Sequence, residues 1–163
     1  MVLLAIDGPA GAGKTTLAAK LEAEYSAHAS VQTIHMDDLY NGWEEALGED
    51  LTKVLESITS AHLAGRGFVI KKFNWHLMHF DHEEQIAPTD YLILEGVGAA
   101  QAVVRKAGAT TYWLDIDAET GLQRVLARDG AHIELEMRQW QIQQSIHFAA
   151  DQTRENCEFK LTS

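Results

Sequence analysis

A three-layer α/β fold, with a central parallel sheet flanked by helices, is what this sequence predicts, and two observations carry the prediction. Short apolar runs of strand length alternate along the chain with segments of helical periodicity. The first run, Val2-Leu3-Leu4-Ala5-Ile6, leads straight into a glycine-rich loop, Gly8-Pro9-Ala10-Gly11-Ala12-Gly13-Lys14-Thr15, and then into a helical segment. Strands that alternate with helices need crossover connections, and such connections build parallel sheets covered on both faces.

The elements follow in order. Residues 16–25 place Leu17, Ala18 and Leu21 on one helical face, and 31–36 form a second strand ending at Asp37-Asp38. Asp50 is the expected N-cap of a helix carrying Leu51, Val54, Leu55 and Ile58 on its buried face, closed by Gly65 and Gly67. A third strand runs from Phe68 to about Phe73, followed by a long loop, 74–88, rich in histidine and aromatic residues. Residues 91–95 are almost wholly apolar, as a central strand would be. A short helix over 99–107, a strand over 110–115 and a helix over 120–128 come next. The stretch 134–154 reads as a long helix broken near its start, and 159–161 as a last short strand.

Bulk properties narrow the function. At 163 residues the chain suffices for one domain, 1–163, with one core. A formal charge of -11 argues against nucleic acid and anionic membrane as partners, since both select basic surfaces. There is no signal-peptide pattern and no apolar run long enough to span a bilayer, and Cys157 is the single cysteine. A cytoplasmic protein is expected, of undetermined oligomeric state.

The loop fits the pattern G-x-x-x-x-G-K-S/T in the right context, between a strand and a helix, so the expected fold is that of the P-loop NTPases. Glycines let successive backbone N–H groups turn toward anionic oxygens, and the helix N-terminus adds its positive dipole end. Gly8, Ala10, Gly11, Ala12, Gly13, Lys14, Thr15 and Thr16 are the expected ATP-binding residues, with Lys14 on the β- and γ-phosphates and Thr15 on Mg²⁺. Chemistry in open parallel sheets collects at the carboxyl ends of strands. Glu95 closes the most apolar strand ahead of Gly96-Val97-Gly98, as a Walker B carboxylate holding Mg²⁺ would; Asp115 and Asp117 are its rivals, Asp117 doubling as a helix cap. Asp37 or Asp38 could accept a proton from an attacking hydroxyl or touch Mg²⁺. Arg124 and Arg128, four apart, share a helix face and could neutralise a transferring phosphoryl group, or simply line a solvated surface.

Several of these segments resemble one family. Met36-Asp37-Asp38-Leu39-Tyr40 resembles the D-x-F-Y segment of the uridine kinases, which implies Asp37 as catalytic base and Tyr40 in the nucleoside pocket. Leu94-Glu95-Gly96-Val97 resembles the family's F-E-G-I/V, and Arg124 with Arg128-Asp129 its R-x-x-x-R-D lid. The segment 140–154 has the look of a bacterial branch of uridine kinase-like ATP-binding proteins. What the resemblance implies is ATP- and Mg²⁺-dependent phosphorylation of a nucleoside hydroxyl.

One departure bears on specificity. Where the family carries a Y-D-F-like tripeptide, this chain has Phe73-Asn74-Trp75, which changes the hydroxyls that can be recognised; Phe73 and Trp75 serve equally well as substrate contacts or core aromatics. His76, His79 and His82 recur in the same loop. Solvated loop residues are the leading reading, His76 or His79 is a candidate substrate contact, and zinc is disfavoured without a nearby cysteine.

Two other functions compete. The run from Asp7 to Lys14 also looks like the start of a cytidylate kinase, but a phosphate acceptor needs cationic clamps, and between Leu21 and Gly65 the only basic residue apart from histidines is Lys53. A non-catalytic nucleotide switch is the other class, since the P-loop fold hosts both.

Overall fold

The computed structural model describes residues 1–162. Five parallel strands form the main sheet in the order β2-β5-β1-β6-β7: β1 (Val2–Asp7), β2 (Val31–His35), β5 (Tyr91–Glu95), β6 (Thr110–Asp115) and β7 (Phe159–Thr162). β1 lies between β5 and β6, with Leu4 opposite Ile93 on one side and Thr110 on the other. Its alternation feeds two cores. Leu3 and Ala5 join Leu92 and Leu94 on the face covered by α3 (Glu49–Leu63) and α4 (Ala102–Lys106), while Leu4 and Ile6 join Ile93 and Ala18 of α1 (Lys14–Tyr25). Each fully buried aliphatic side chain contributes about 1.5–3 kcal/mol, which is why both faces of this strand must be apolar.

The third strand departs from the expected sheet. β3 (Phe68–Asn74) leaves it and pairs antiparallel with β4 (His79–Ile86), so the expected loop over 74–88 is largely a strand. A strand carrying Lys71 and Lys72 cannot sit in a sheet buried on both faces. In a two-stranded ribbon those lysines reach acidic partners instead: Lys71 pairs in register with Glu83, and Lys72 Nζ lies 2.7 Å from Glu84. Asn74 turns the chain, its Oδ1 accepting from His76 N and Leu77 N at 3.0 Å each, an Asx turn.

Smaller differences have local causes. Asp37 and Asp38 lie in a single helical turn, α2 (Met36–Leu39), rather than at a strand end. α3 starts at Glu49 with Gly48 as N-cap, which places Asp50 in the first turn instead of at the cap, and Val54 is exposed on the helix flank. Residues 96–101 are a turn ahead of α4, shorter than expected, because Asp7 accepts from the N–H groups of Gly98 and Ala100. After α5 (Ala118–Asp129) and a 3₁₀ turn at Ala131–Ile133, the long helix α6 (Glu134–Asp151) is unbroken at its start and ends at Gln152, whose φ is 51°. The short helix α7 (Thr153–Asn156) follows. Asp151 fixes this break, accepting from Thr153 Oγ1 and Ala102 N and pairing with Arg105. No described helix is long and apolar enough to cross a membrane.

Candidate active site

A cavity of about 310 Å³ opens at the carboxyl ends of β1, β2 and β5, lined by residues of the glycine loop, α2, the hairpin, α5 and α6. At one end lies the loop. Gly8, Gly11 and Gly13 have φ of 141°, 82° and 93°, and a Cβ on Gly8 would meet Leu114 O at 2.4 Å. Gly13 is the N-cap of α1 and no side chain caps that helix, so its first N–H groups are left for an anion. Lys14 Nζ donates to Gly8 O and Pro9 O at 2.8 Å each. Burial pulls the Lys14 pKa down, and the charges of Asp7, Glu95 and Asp37 oppose the shift. Asp7, fully buried behind the loop, accepts from Gly8 N at 2.7 Å, Gly98 N at 3.0 Å and Ala100 N at 2.9 Å, which ties the loop to the turn after β5. Burial raises its pKa against those donors.

Oxygen atoms converge beside the lysine. Thr15 Oγ1 donates to Glu95 Oε1 at 3.2 Å, and His35 Nδ1 contacts the same oxygen. A hydroxyl and a carboxylate at one point are the hard oxygen donors that Mg²⁺ takes, so these residues fit that ion. The rival carboxylates are engaged elsewhere. Asp115 is bound by Arg154 Nη2 at 2.8 Å, which holds its pKa down, and Asp117 caps α5 by accepting from Thr120 N. Neither lines the cavity.

Asp37 lines the same cavity as the loop and feels the charge of Lys14. It is open to solvent along the cleft and walled by protein elsewhere; that burial, and next the charge of Glu95, push its pKa above the ordinary carboxylate value. Its neighbour Asp38 points away to Lys72, 3.2 Å distant. Gly96, at φ 138°, lets β5 pass against α2, because a Cβ there would lie 2.5 Å from Met36 Cβ.

Aromatic rings close the far end. Tyr40 is buried and donates its hydroxyl to Val97 O at 2.6 Å; burial raises its pKa well above the ordinary value. Trp75, from the hairpin turn, donates its indole N–H to Asp37 O at 3.1 Å. Trp43 and Trp140 complete the wall. Phe73 is buried against Trp75 and Phe80 behind this wall and does not line the cavity. His76 is exposed in the hairpin turn, and His79 and His82 lie on exposed positions of β4, all outside the cavity. Among the described residues no three His, Cys, Asp or Glu side chains are grouped to hold a metal.

The two arginines of α5 separate. Arg128 lines the cavity and grips Asp129 with Nε and Nη2, which raises its pKa. Arg124 lies over the loop, Nη1 donating to Gly11 O at 3.3 Å. Thr16 is exposed on the first turn of α1.

Two residues outside the motifs shape the loop. A Cβ on Gly121 of α5 would sit 2.5 Å from Ala10 O, and one on Gly11 would sit 2.3 Å from Gly121 O, so loop and helix meet backbone to backbone. A glycine inside a helix, costing about 1 kcal/mol relative to alanine, was the available signal. Gln144 of α6, buried, accepts from Ala10 N at 3.1 Å; no sequence pattern marks it.

No protein-family model matches the chain, and no curated protein matches it in sequence. Solved structures do. A protein described as a possible uridine kinase from Bacillus stearothermophilus superposes with a TM-score of 0.71 at 16% identity, covering 98% of this chain and 88% of that one. A protein assigned as a fructose transport system kinase from Silicibacter gives 0.67 at 16% identity, with 99% and 89% covered. Shikimate kinase from Bacteroides thetaiotaomicron gives 0.56 at 16%, with 99% and 85% covered. The chain has the P-loop kinase fold. Within that fold, the glycine loop follows β1, Glu95 closes β5, and Asp37 lies in α2 directly after β2, all around one cavity.

Proposed function

We propose that this protein is an ATP-dependent kinase that transfers the γ-phosphoryl group to a hydroxyl of a small molecule, with a nucleoside as acceptor, in the manner of the uridine kinases. One observation carries the reading: a carboxylate, Asp37, faces the same cavity as Lys14, Thr15 and Glu95, with an aromatic wall beyond it. Among the described residues, the only cationic side chains lining that cavity are Lys14 and Arg128, which belong to the loop and to α5. An acceptor that is already a phosphate would need cations beyond them, so the geometry favours a neutral hydroxyl over a nucleoside monophosphate.

The loop N–H groups and Lys14 hold the triphosphate. Thr15 and Glu95 are the residues that would hold Mg²⁺, which when bound would supply positive charge to offset that of the phosphates. Asp37 orients the acceptor hydroxyl and takes its proton as the new oxygen–phosphorus bond forms and the bond to the departing ADP oxygen breaks. Its raised pKa suits that task, since a stronger base accepts the proton more readily. Arg128, in the cavity, and Arg124, at the Gly11 carbonyl, supply positive charge to the transferring group.

The test is an acceptor screen with the full chain, ATP and Mg²⁺, recording ADP release and phosphorylated product together. Product from a nucleoside is expected. Product only from nucleoside monophosphates overturns the argument from charge, and slow hydrolysis indifferent to every acceptor points to a nucleotide switch instead.

A further inference from the structure

One end of the cavity is walled by aromatic rings. Its rings brace one another at steep angles: Trp43 and Trp75 at 5.2 Å and 62°, Trp43 and Trp140 at 6.0 Å and 75°, Tyr40 and Trp140 at 5.2 Å and 53°. Rings locked edge to face hold their positions and offer apolar surface. Two of their polar handles are already committed to backbone, the Tyr40 hydroxyl to Val97 O and the Trp75 indole to Asp37 O. Trp43 and Trp140 can add only an indole N–H, a donor without an accepting partner. Among the described residues no Asn, Gln, Ser or His side chain lines the cavity, and its other polar groups lie on the glycine loop, β5 and α5. That leaves the Asp37 carboxylate as the charged accepting group at this end, beside the oxygen of the buried Tyr40 hydroxyl, whose proton is donated to Val97 O. Phosphoryl transfer uses the carboxylate on the acceptor hydroxyl.

We infer that this site recognises its acceptor by the face of a flat ring and leaves the ring's hydrogen-bonding edge unread. The acceptor class is a hydroxyl compound bearing an aromatic or heteroaromatic ring, accepted with little distinction between bases. The inference rests on the kinase reading for the hydroxyl and on the cavity wall for the ring. Magnitudes separate it from the alternative. Apolar pockets distinguish related ligands by roughly 10- to 200-fold, whereas sites built to hydrogen-bond a group reject its absence by about 10⁴-fold or more. Stacking on aromatic side chains contributes roughly 5- to 150-fold in affinity per base.

The experiment compares uridine, cytidine, a phenyl riboside that lacks any hydrogen-bonding edge, and ribose that lacks the ring. Transfer is measured as kcat/KM, and binding independently by quenching of tryptophan fluorescence, to which three cavity-lining tryptophans contribute. The three ring compounds are expected to bind and react within roughly 100-fold of one another, with ribose well below them. Trp43→Leu is expected to weaken the three ring ligands alike by about 10-fold or more without moving ribose, and Trp43→Phe, which keeps a ring face, to restore them to within about 3-fold of wild type. A phenyl riboside roughly 10⁴-fold worse than uridine or cytidine in kcat/KM would show that the edge is read and overturn the inference. Failure of all ring compounds to quench would overturn it as well. Quenching by ring compounds with no transfer to any of them would sink the kinase reading and leave ring-face recognition standing.

Discussion

At one end of the cavity, eight consecutive residues, Gly8 to Thr15, supply the loop and the start of a helix, and Ala10, Gly11, Lys14 and Thr15 of that run line it. At the other end, Asp37 and Tyr40 come from α2 and the residue after it, Trp43 from the loop that follows, Trp75 from the hairpin turn, and Met137 and Trp140 from α6. Side chains from distant segments form the wall there. A phosphate cradle needs N–H groups in a fixed curve, which a short run of glycines provides in any surroundings. An acceptor pocket needs a shape, and a shape of this size requires walls from elements far apart in sequence. The first end is therefore local and generic, the second assembled and particular to this chain.

The largest expected effect tests whether Asp37 belongs to the acceptor end. Asp37→Asn should lower kcat by roughly 10²- to 10⁴-fold with ATP affinity within a few-fold of wild type, read by steady-state kinetics and nucleotide titration. A parallel loss of ATP affinity would move Asp37 to the phosphate end as a metal contact. The pH profile adds a sign. Because burial and Glu95 raise the Asp37 pKa, its basic form is lost as pH falls through a value above the ordinary 3.8. The acid limb of kcat/KM should lie above that value and be absent from the residual activity of the variant.

A smaller effect tests whether the loop is as independent as its sequence. Gly121→Ala puts a Cβ 2.5 Å from Ala10 O, a strain of about 1–3 kcal/mol. ATP affinity should fall by roughly 5- to 150-fold on that strain, with the acceptor KM unchanged; a rise in the acceptor KM alone would mean that the two ends are not separable. Glu95→Gln belongs to the same end and should raise the Mg²⁺ concentration for half-maximal activity. An unchanged Mg²⁺ titration would return Asp115 or Asp117 to consideration.

Gln144 sharpens the comparison because it links the two ends. α6 carries Met137 and Trp140 in the cavity wall, and a turn later Gln144 holds Ala10 N. Gln144→Met leaves that donor unsatisfied, at about 1–3 kcal/mol, and should weaken the mutual effect of ATP and acceptor on each other's binding. Synergy equal to wild type would show that the link is structural only. The mildest expectation concerns Cys157, buried near Asp7, whose thiol is pushed up to about 11 chiefly by burial and then by the Asp7 charge. Near pH 8 its thiolate is about 100-fold scarcer than that of an ordinary cysteine, so a thiol reagent should label it at the rate of unfolding. Rapid labelling of the folded protein would show that the region behind the phosphate end opens.

The glycine loop, its flanking strand and helix, and Glu95 at a strand end were legible in the sequence, because each depends on neighbours or on a burial pattern within a few residues. The order of the parallel strands, with β5 between β2 and β1, was not, because it is set by pairing between distant segments. The β3–β4 hairpin was not legible either. His79–Ile86 is a polar run whose strand character comes from pairing with Lys71, Lys72 and Phe73 across a turn. Nor could spacing say that Arg128 reaches the cavity while Arg124 lies over the loop, or that Phe73 stands behind Trp75.

By itself, then, the sequence determined a parallel α/β sheet and a phosphate cradle, since hydrophobic alternation and glycine torsion act over short stretches of chain. Only the tertiary structure decided the aromatic wall of the cavity. Trp43, Trp75 and Trp140 become one wall through contacts between segments more than thirty residues apart, and the free energy that fixes such contacts is released when those elements pack together and exclude water.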